Sequence, residues 1–114
     1  DDKFMNRIME VIERNTSNEE FSLADFAREM NMSRSVLHSR TQGLVNQSPI
    51  ELLRSVRMKK ASHLLLSEAY NVTQISYMVG FSDPRYFSTC FKKQYGMTPR
   101  EYVRKTKNGE PKAV

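Results

Sequence analysis

Apolar residues recur with helical spacing along almost the whole chain. Phe4, Ile8, Val11 and Ile12 form one stripe with Met5 and Met9 beside it, which predicts an opening helix of roughly three turns. Leu23, Phe26, Ala27 and Met30 follow at i, i+3, i+4 and i+7, and Ser22 and Asp25 ahead of them have the spacing of a capping box. Asn31 stands where a left-handed stop is needed, and Ser33 then caps a helix through Gln42. Ser48-Pro49-Ile50-Glu51 places a hydroxyl, a proline and a carboxylate in the order that starts a helix. That helix carries Ile50, Leu53, Ala61, Leu64 and Leu65 to Ser67, on the order of 27 Å at about 1.5 Å per residue. Asn71 caps a short helix with Val72, Ile75 and Val79 inward and Gly80 as its stop. Asp83-Pro84 opens another along Phe87, Phe91 and Tyr95 to Gly96, and Thr98-Pro99-Arg100-Glu101 opens a last one with Tyr102 and Val103. No stretch alternates apolar and polar residues long enough to make a strand, so the fold class is all-α.

The order of these elements occurs twice. The run from Leu23 through Ser33 and Leu37 to Ser48-Pro49-Ile50-Glu51 is matched by the run from Val72 through Ser82 and Phe87 to Thr98-Pro99-Arg100-Glu101, with one residue gained on the way. Each copy spells helix, tight turn, helix. The resulting division is a lead-in helix over 1–22, a first helix-turn-helix over 23–47 and a linker helix over 48–70. A second helix-turn-helix with a closing helix occupies 71–105, and the polar tail 106–114 is expected to be disordered.

Composition narrows what such a pair can do. At 114 residues, 39% hydrophobic and 27% charged, the chain can bury a core without metal or disulfide staples. The single cysteine, Cys90, forms no internal bridge, and no apolar run reaches the length of a membrane span or signal core, which fits a reducing cytoplasm. The chain starts at Asp1, with no initiator methionine, which fits a piece of something longer. The net charge of +5 is unevenly spread: residues 1–30 hold eight acids and four bases, residues 31–114 five acids and fourteen bases. A basic surface on the later segment suits a polyanion.

In a helix-turn-helix the second helix enters the major groove, so its outward side chains matter. With Val36 and Leu37 inward, Arg34, Ser35, His38, Ser39 and Gln42 face out in the first copy. With Phe87 and Phe91 inward, Arg85, Ser88, Thr89, Lys92 and Lys93 face out in the second, Arg85 falling near Ser35 or Val36. Arg34, Ser35, His38, Ser39, Arg85, Ser88 and Thr89 are expected at base edges, with Arg85 foremost because arginine grips guanine with two hydrogen bonds. Arg40, Gln42, Arg54, Arg57, Lys92 and Lys93 are expected at phosphates, which they position and neutralise. Backbone N–H groups at the helix starts near Ser22 and Val72 are further phosphate candidates.

Other residue types have plainer roles. Met5, Met9, Met30, Met32, Met58, Met78 and Met97 fall mostly at core or turn spacings. His38 and His63 have no cysteine or carboxylate pair at ligand spacing, so no metal or other cofactor is expected. Nothing beside Cys90 or the serines resembles an activated nucleophile, and no enzyme is expected. The principal alternative to double-stranded DNA as partner is a basic helical module meeting an acidic protein. RNA fits less well, for want of a sheet with stacking aromatics.

The residues from Ile75-Ser76-Tyr77-Met78-Val79-Gly80-Phe81-Ser82-Asp83-Pro84-Arg85-Tyr86-Phe87-Ser88 through Phe91-Lys92-Lys93, Gly96 and Thr98-Pro99 to Tyr102 resemble the DNA-binding domain of AraC-type transcription regulators. The likeness extends from Leu23 to Arg104. It implies seven helices, two helix-turn-helix subdomains joined by the long central one, and regulation of transcription, mainly activation. Met32-Ser33-Arg34-Ser35-Val36-Leu37-His38 with Asn46-Gln47-Ser48-Pro49 is similar to the output module of hybrid two-component sensor regulators. That likeness implies upstream sensor or receiver domains and RNA polymerase as partners, and no membrane contact by this part. Two departures stand out: Asn46 replaces the usual glycine, and Thr41-Gln42 replaces a more apolar and basic pair.

Overall fold

The computed structural model describes residues 2–107, which form seven helices. These are α1 (Asp2–Asn15), α2 (Leu23–Met30), α3 (Arg34–Val45), α4 (Pro49–Ser67), α5 (Val72–Met78), α6 (Pro84–Tyr95) and α7 (Pro99–Lys107). Cap chemistry explains most of the boundaries. Ser22, Ser48, Asn71 and Thr98 each accept a hydrogen bond from the backbone N–H three residues on, and the side chains of Asp25, Glu51, Gln74 and Glu101 accept one back from the cap N–H. Left-handed stops fall at Asn31 (φ 58°), Gly80 (φ 86°) and Gly96 (φ 76°), as the sequence leads one to expect, and at Asn46 (φ 56°), so that α3 runs to Val45 and not only to the expected Gln42. Glu68 (φ 58°) adds a stop without local warning, and Lys107 Nζ meets its carboxylate at 3.0 Å. That ion pair belongs to a helix running through Thr106 and Lys107, so the expected onset of disorder at Thr106 is incorrect there; the rest of the tail lies outside the described residues.

The acidic caps make stability pH-dependent. Backbone N–H groups hold the carboxyls of Asp25, Glu51, Asp83 and Glu101 below their ordinary values of 3.8 for Asp and 4.5 for Glu. Depressed folded values mean that their stabilisation is complete above the ordinary carboxylate range and is lost as pH falls through the folded values. Glu51→Gln with Glu101→Gln keeps both capping boxes but removes two of these titrations. Urea midpoints measured between about pH 6 and about pH 3 should therefore decline less in the double variant than in the parent chain.

Two separate cores share α4. Phe4, Ile8, Val11, Ile12, Phe21, Phe26, Ala27, Met30 and Leu37 pack with Leu52 and Leu53 of α4. Further along the same helix Met58, Ala61 and Leu65 pack with Ile75, Val79, Phe81, Phe87, Cys90, Phe91, Met97 and Tyr102. The contacts between α1 and α2 and between α3 and α4 recur between α4 and α5 and between α6 and α7. The first half of α4 is thus to α3 what α7 is to α6, and its second half is to α5 what α1 is to α2. The linker helix expected over 48–70 is therefore a working part of both units.

Arg57 lies on α4 at the junction of the two cores, where it is half-buried. Its Nε donates to the carbonyl of Thr16 at 3.1 Å and its Nη2 to that of Asn18 at 2.8 Å. The turn at Gly80 closes on the same spot: a Cβ there would lie 2.4 Å from the Thr16 oxygen and 2.9 Å from Arg57 Nη2. Gln94 Nε2 adds a bond to the Ser55 carbonyl at 3.3 Å, from α6 to α4. First unit, central helix and second unit meet at this cluster.

Candidate nucleic-acid interface

The register of α3 on α6 follows from their caps and their buried pairs. Ser33 and Asp83 are the N-caps, Leu37 and Thr41 are the buried pair of α3, and Phe87 and Phe91 lie at the corresponding steps of α6. Arg85 is therefore the counterpart of Ser35, Tyr86 of Val36, Ser88 of His38, Thr89 of Ser39 and Lys92 of Gln42. The residue gained in the second unit lies in the turn between Gly80 and Asp83.

Most outward positions are as expected. Arg34, Ser35, His38, Ser39 and Gln42 are exposed on α3, as are Arg85, Thr89, Lys92 and Lys93 on α6, with Ser88 half-buried. The Arg85 side chain is 94% exposed, its Nε 3.5 Å from Oδ1 of Asp83. Thr89 Oγ1 donates to the Arg85 carbonyl at 3.1 Å, and Gln42 Nε2 donates to Asn46 Oδ1 at 3.1 Å, which steadies the left-handed asparagine. Arg54, on α4, lines a cleft between the units together with Tyr86, Thr89 and Lys93. Arg54 and Lys93 both help to hold the Glu51 carboxyl low, after the Ser48 cap that dominates.

One expectation needs correction. Val36 is not inward: it is 45% exposed, and the second buried position of α3 is Thr41, whose hydroxyl donates to the Leu37 carbonyl at 2.6 Å. Arg57, also expected at a phosphate, gives its Nε and Nη2 to the two carbonyls of the junction. Arg40 is exposed, with its guanidinium 4.3 Å from the centre of the Phe4 ring of α1, a cation–π contact. At the start of α2 the Asp25 carboxylate occupies the cap and disfavours an anion, whereas the α5 start is closed by the neutral Gln74.

The two outward helices are held unequally. Phe87, Phe91, Tyr95 and Tyr102 form a chain of ring contacts with centroids 4.6 to 6.1 Å apart, which anchors α6. The described part of α3 buries only Leu37 and Thr41, and Gly43 sits within it with open space around its Cβ position. Gly43→Ala should raise unfolding free energy by about 0.5–1 kcal/mol, measured by denaturant titration.

The model of a family described as helix-turn-helix domain matches residues 26–105, and that match covers both outward helices and the shared α4. The chain belongs to the AraC-type helix-turn-helix DNA-binding domains. In chain order α3 and α6 are the second helices of its two helix-turn-helix units, and the family is one of DNA-binding domains of transcription regulators. Among similar structures, the C-terminal domain of AraT, a response regulator from Geobacillus stearothermophilus, superposes with a TM-score of 0.82 at 34% identity, covering 89% of this chain and 84% of that one. Histidine kinase P4 of Formosa agariphila is 36% identical over 102 residues, 90% of this chain but 7% of the kinase. The HTH-type transcriptional activator CfaD of Escherichia coli is 34% identical over 93% of this chain, which spans 39% of CfaD. Among the described residues of this AraC-type domain no helix is long and apolar enough to cross a membrane.

Proposed function

We propose that this AraC-type domain reads two successive major grooves on one side of a B-form duplex, one with α3 and one with α6. The observation that carries this reading is the matched register of two exposed helices on one shared, clamped rod. The molecule extends 45 Å along its longest axis, ample for groove windows about 34 Å apart. Arg85 leads base recognition in one half-site with Ser88 and Thr89 beside it, while Arg34, Ser35, His38 and Ser39 serve the other. Gln42, Arg54, Lys92 and Lys93 hold phosphates. The recognition helices carry different side chains, so the two half-sites differ in sequence.

In the full-length protein the domain acts as the output of upstream sensor or receiver domains and activates transcription through RNA polymerase in the cytoplasm. The similarity to part of a histidine kinase and to the end of a response regulator supports the two-component setting. Selection from a random duplex pool followed by footprinting tests the geometry. Protection should cover two half-sites about one helical turn apart, and the selected duplex should outcompete non-specific DNA by about a thousandfold. Protection of one half-site alone would restrict the reading to a single helix. Salt titration separates the cations: Lys92→Ala should flatten the log–log salt slope by about 1, whereas Arg57→Gln should leave it unchanged while lowering stability.

A further inference from the structure

Among the six helices from α2 to α7, whose caps lie within the described residues, the starts of α3 and α6 stand apart. At the starts of α2, α4, α5 and α7 the third helical residue is Asp25, Glu51, Gln74 or Glu101, and each reaches back to close a capping box. At the same position α3 has Val36 and α6 has Tyr86, with the caps Ser33 and Asp83 left unreciprocated by a side chain from that position. Both residues are apolar in body and open to solvent, Val36 at 45% and Tyr86 at 50%. A helix start gains from a carboxylate or amide there and gains little from an exposed valine. Two unrelated apolar side chains at one matched position, replacing a stabilising residue in both cases, call for a partner that the free domain lacks.

The third residue lies in the N-terminal part of the recognition helix, the part that meets base edges in the major groove. The one apolar group on those edges is the 5-methyl of thymine. We propose that Val36 and Tyr86 are specificity-determining residues that each pack against a thymine methyl, one in each half-site, beside the polar contacts of Ser35 and Arg85. Tyr86 is already steadied for this role, its ring 5.8 Å from that of Phe81, so little freedom is lost when its open side is covered. A carboxylate at either place would face phosphate oxygens, which accounts for the missing acid; the apolar replacement is what selects the base. This assignment rests on the major-groove reading above.

Replacing single thymines by deoxyuridine in a selected duplex removes one methyl and changes no Watson–Crick hydrogen bond. The wild-type domain should bind about fourfold more weakly when the contacted thymine of either half-site is changed. Val36→Gln should erase the penalty in the first half-site only and, by completing a capping box with Ser33, should raise the melting temperature, so that binding preference and stability move in opposite directions. Tyr86→Phe should keep the penalty in the second half-site, because the ring and not the hydroxyl makes the contact, and Tyr86→Ala should remove it. A selected site whose deoxyuridine versions all bind like the parent overturns the assignment while leaving major-groove reading intact. So does an undiminished penalty in Val36→Gln. A pool that yields no preferred sequence overturns base reading itself, and this assignment with it.

Discussion

Gly80→Ala should be among the most damaging single substitutions in the chain, lowering unfolding free energy by about 3 kcal/mol and the melting temperature by about 10 °C. The left-handed backbone at Gly80 (φ 86°) already disfavours any side chain by about 1 kcal/mol. The added methyl would also lie 2.4 Å from the Thr16 carbonyl oxygen, a backbone atom that cannot swing aside, and 2.9 Å from the Arg57 guanidinium that bonds it. Relief requires the Thr16–Asn18 loop to part from α4. Gly96→Ala is the control, since Gly96 is also left-handed (φ 76°) but exposed at the end of α6. Urea titration of both variants decides the matter. A Gly80→Ala midpoint no lower than that of Gly96→Ala would mean that the junction is looser than its geometry implies.

Arg85→Ala should weaken binding to the selected duplex by about 1 to 3 kcal/mol and relax preference at one or two base pairs, without altering the fold. Among the described residues its ion pair is with Asp83 at 3.5 Å, on the surface, and such pairs contribute little. The whole effect should therefore appear in DNA binding, and mainly as altered sequence choice in a repeated selection. Unchanged preference would remove Arg85 from base recognition and leave Thr89 and Ser88 as the readers of that half-site.

Helix starts are legible residue by residue, because a cap is local chemistry: Ser48, Pro49 and Glu51 contain nearly all the information that α4 needs to begin. The junction was not legible, because the carbonyls that Arg57 serves belong to Thr16 and Asn18, in a loop with no short-range tie to α4. From sequence such an arginine looks like any other cation on a helix. Val36 is hard to place for a different reason. The inward line of α3 runs through Leu37 and Thr41, and a threonine in a core position does not register as apolar, so the apolar pattern alone draws Val36 inward beside Leu37. Matching Ser33 to Asp83, with Thr41 then falling on Phe91, was the available signal, and it would also have brought Val36 and Tyr86 together. Glu68 left no trace in the sequence, because glutamate is an uncommon residue for a left-handed stop.

The double duty of α4 bears on how the domain comes apart. Were the units beads on a string, heating would release them one after the other. Here, loss of the aromatic half would strip Met58, Ala61 and Leu65 of their cover and fray the very helix on which Leu52 and Leu53 ride. Calorimetry should accordingly record one endotherm, with van 't Hoff and calorimetric enthalpies in agreement.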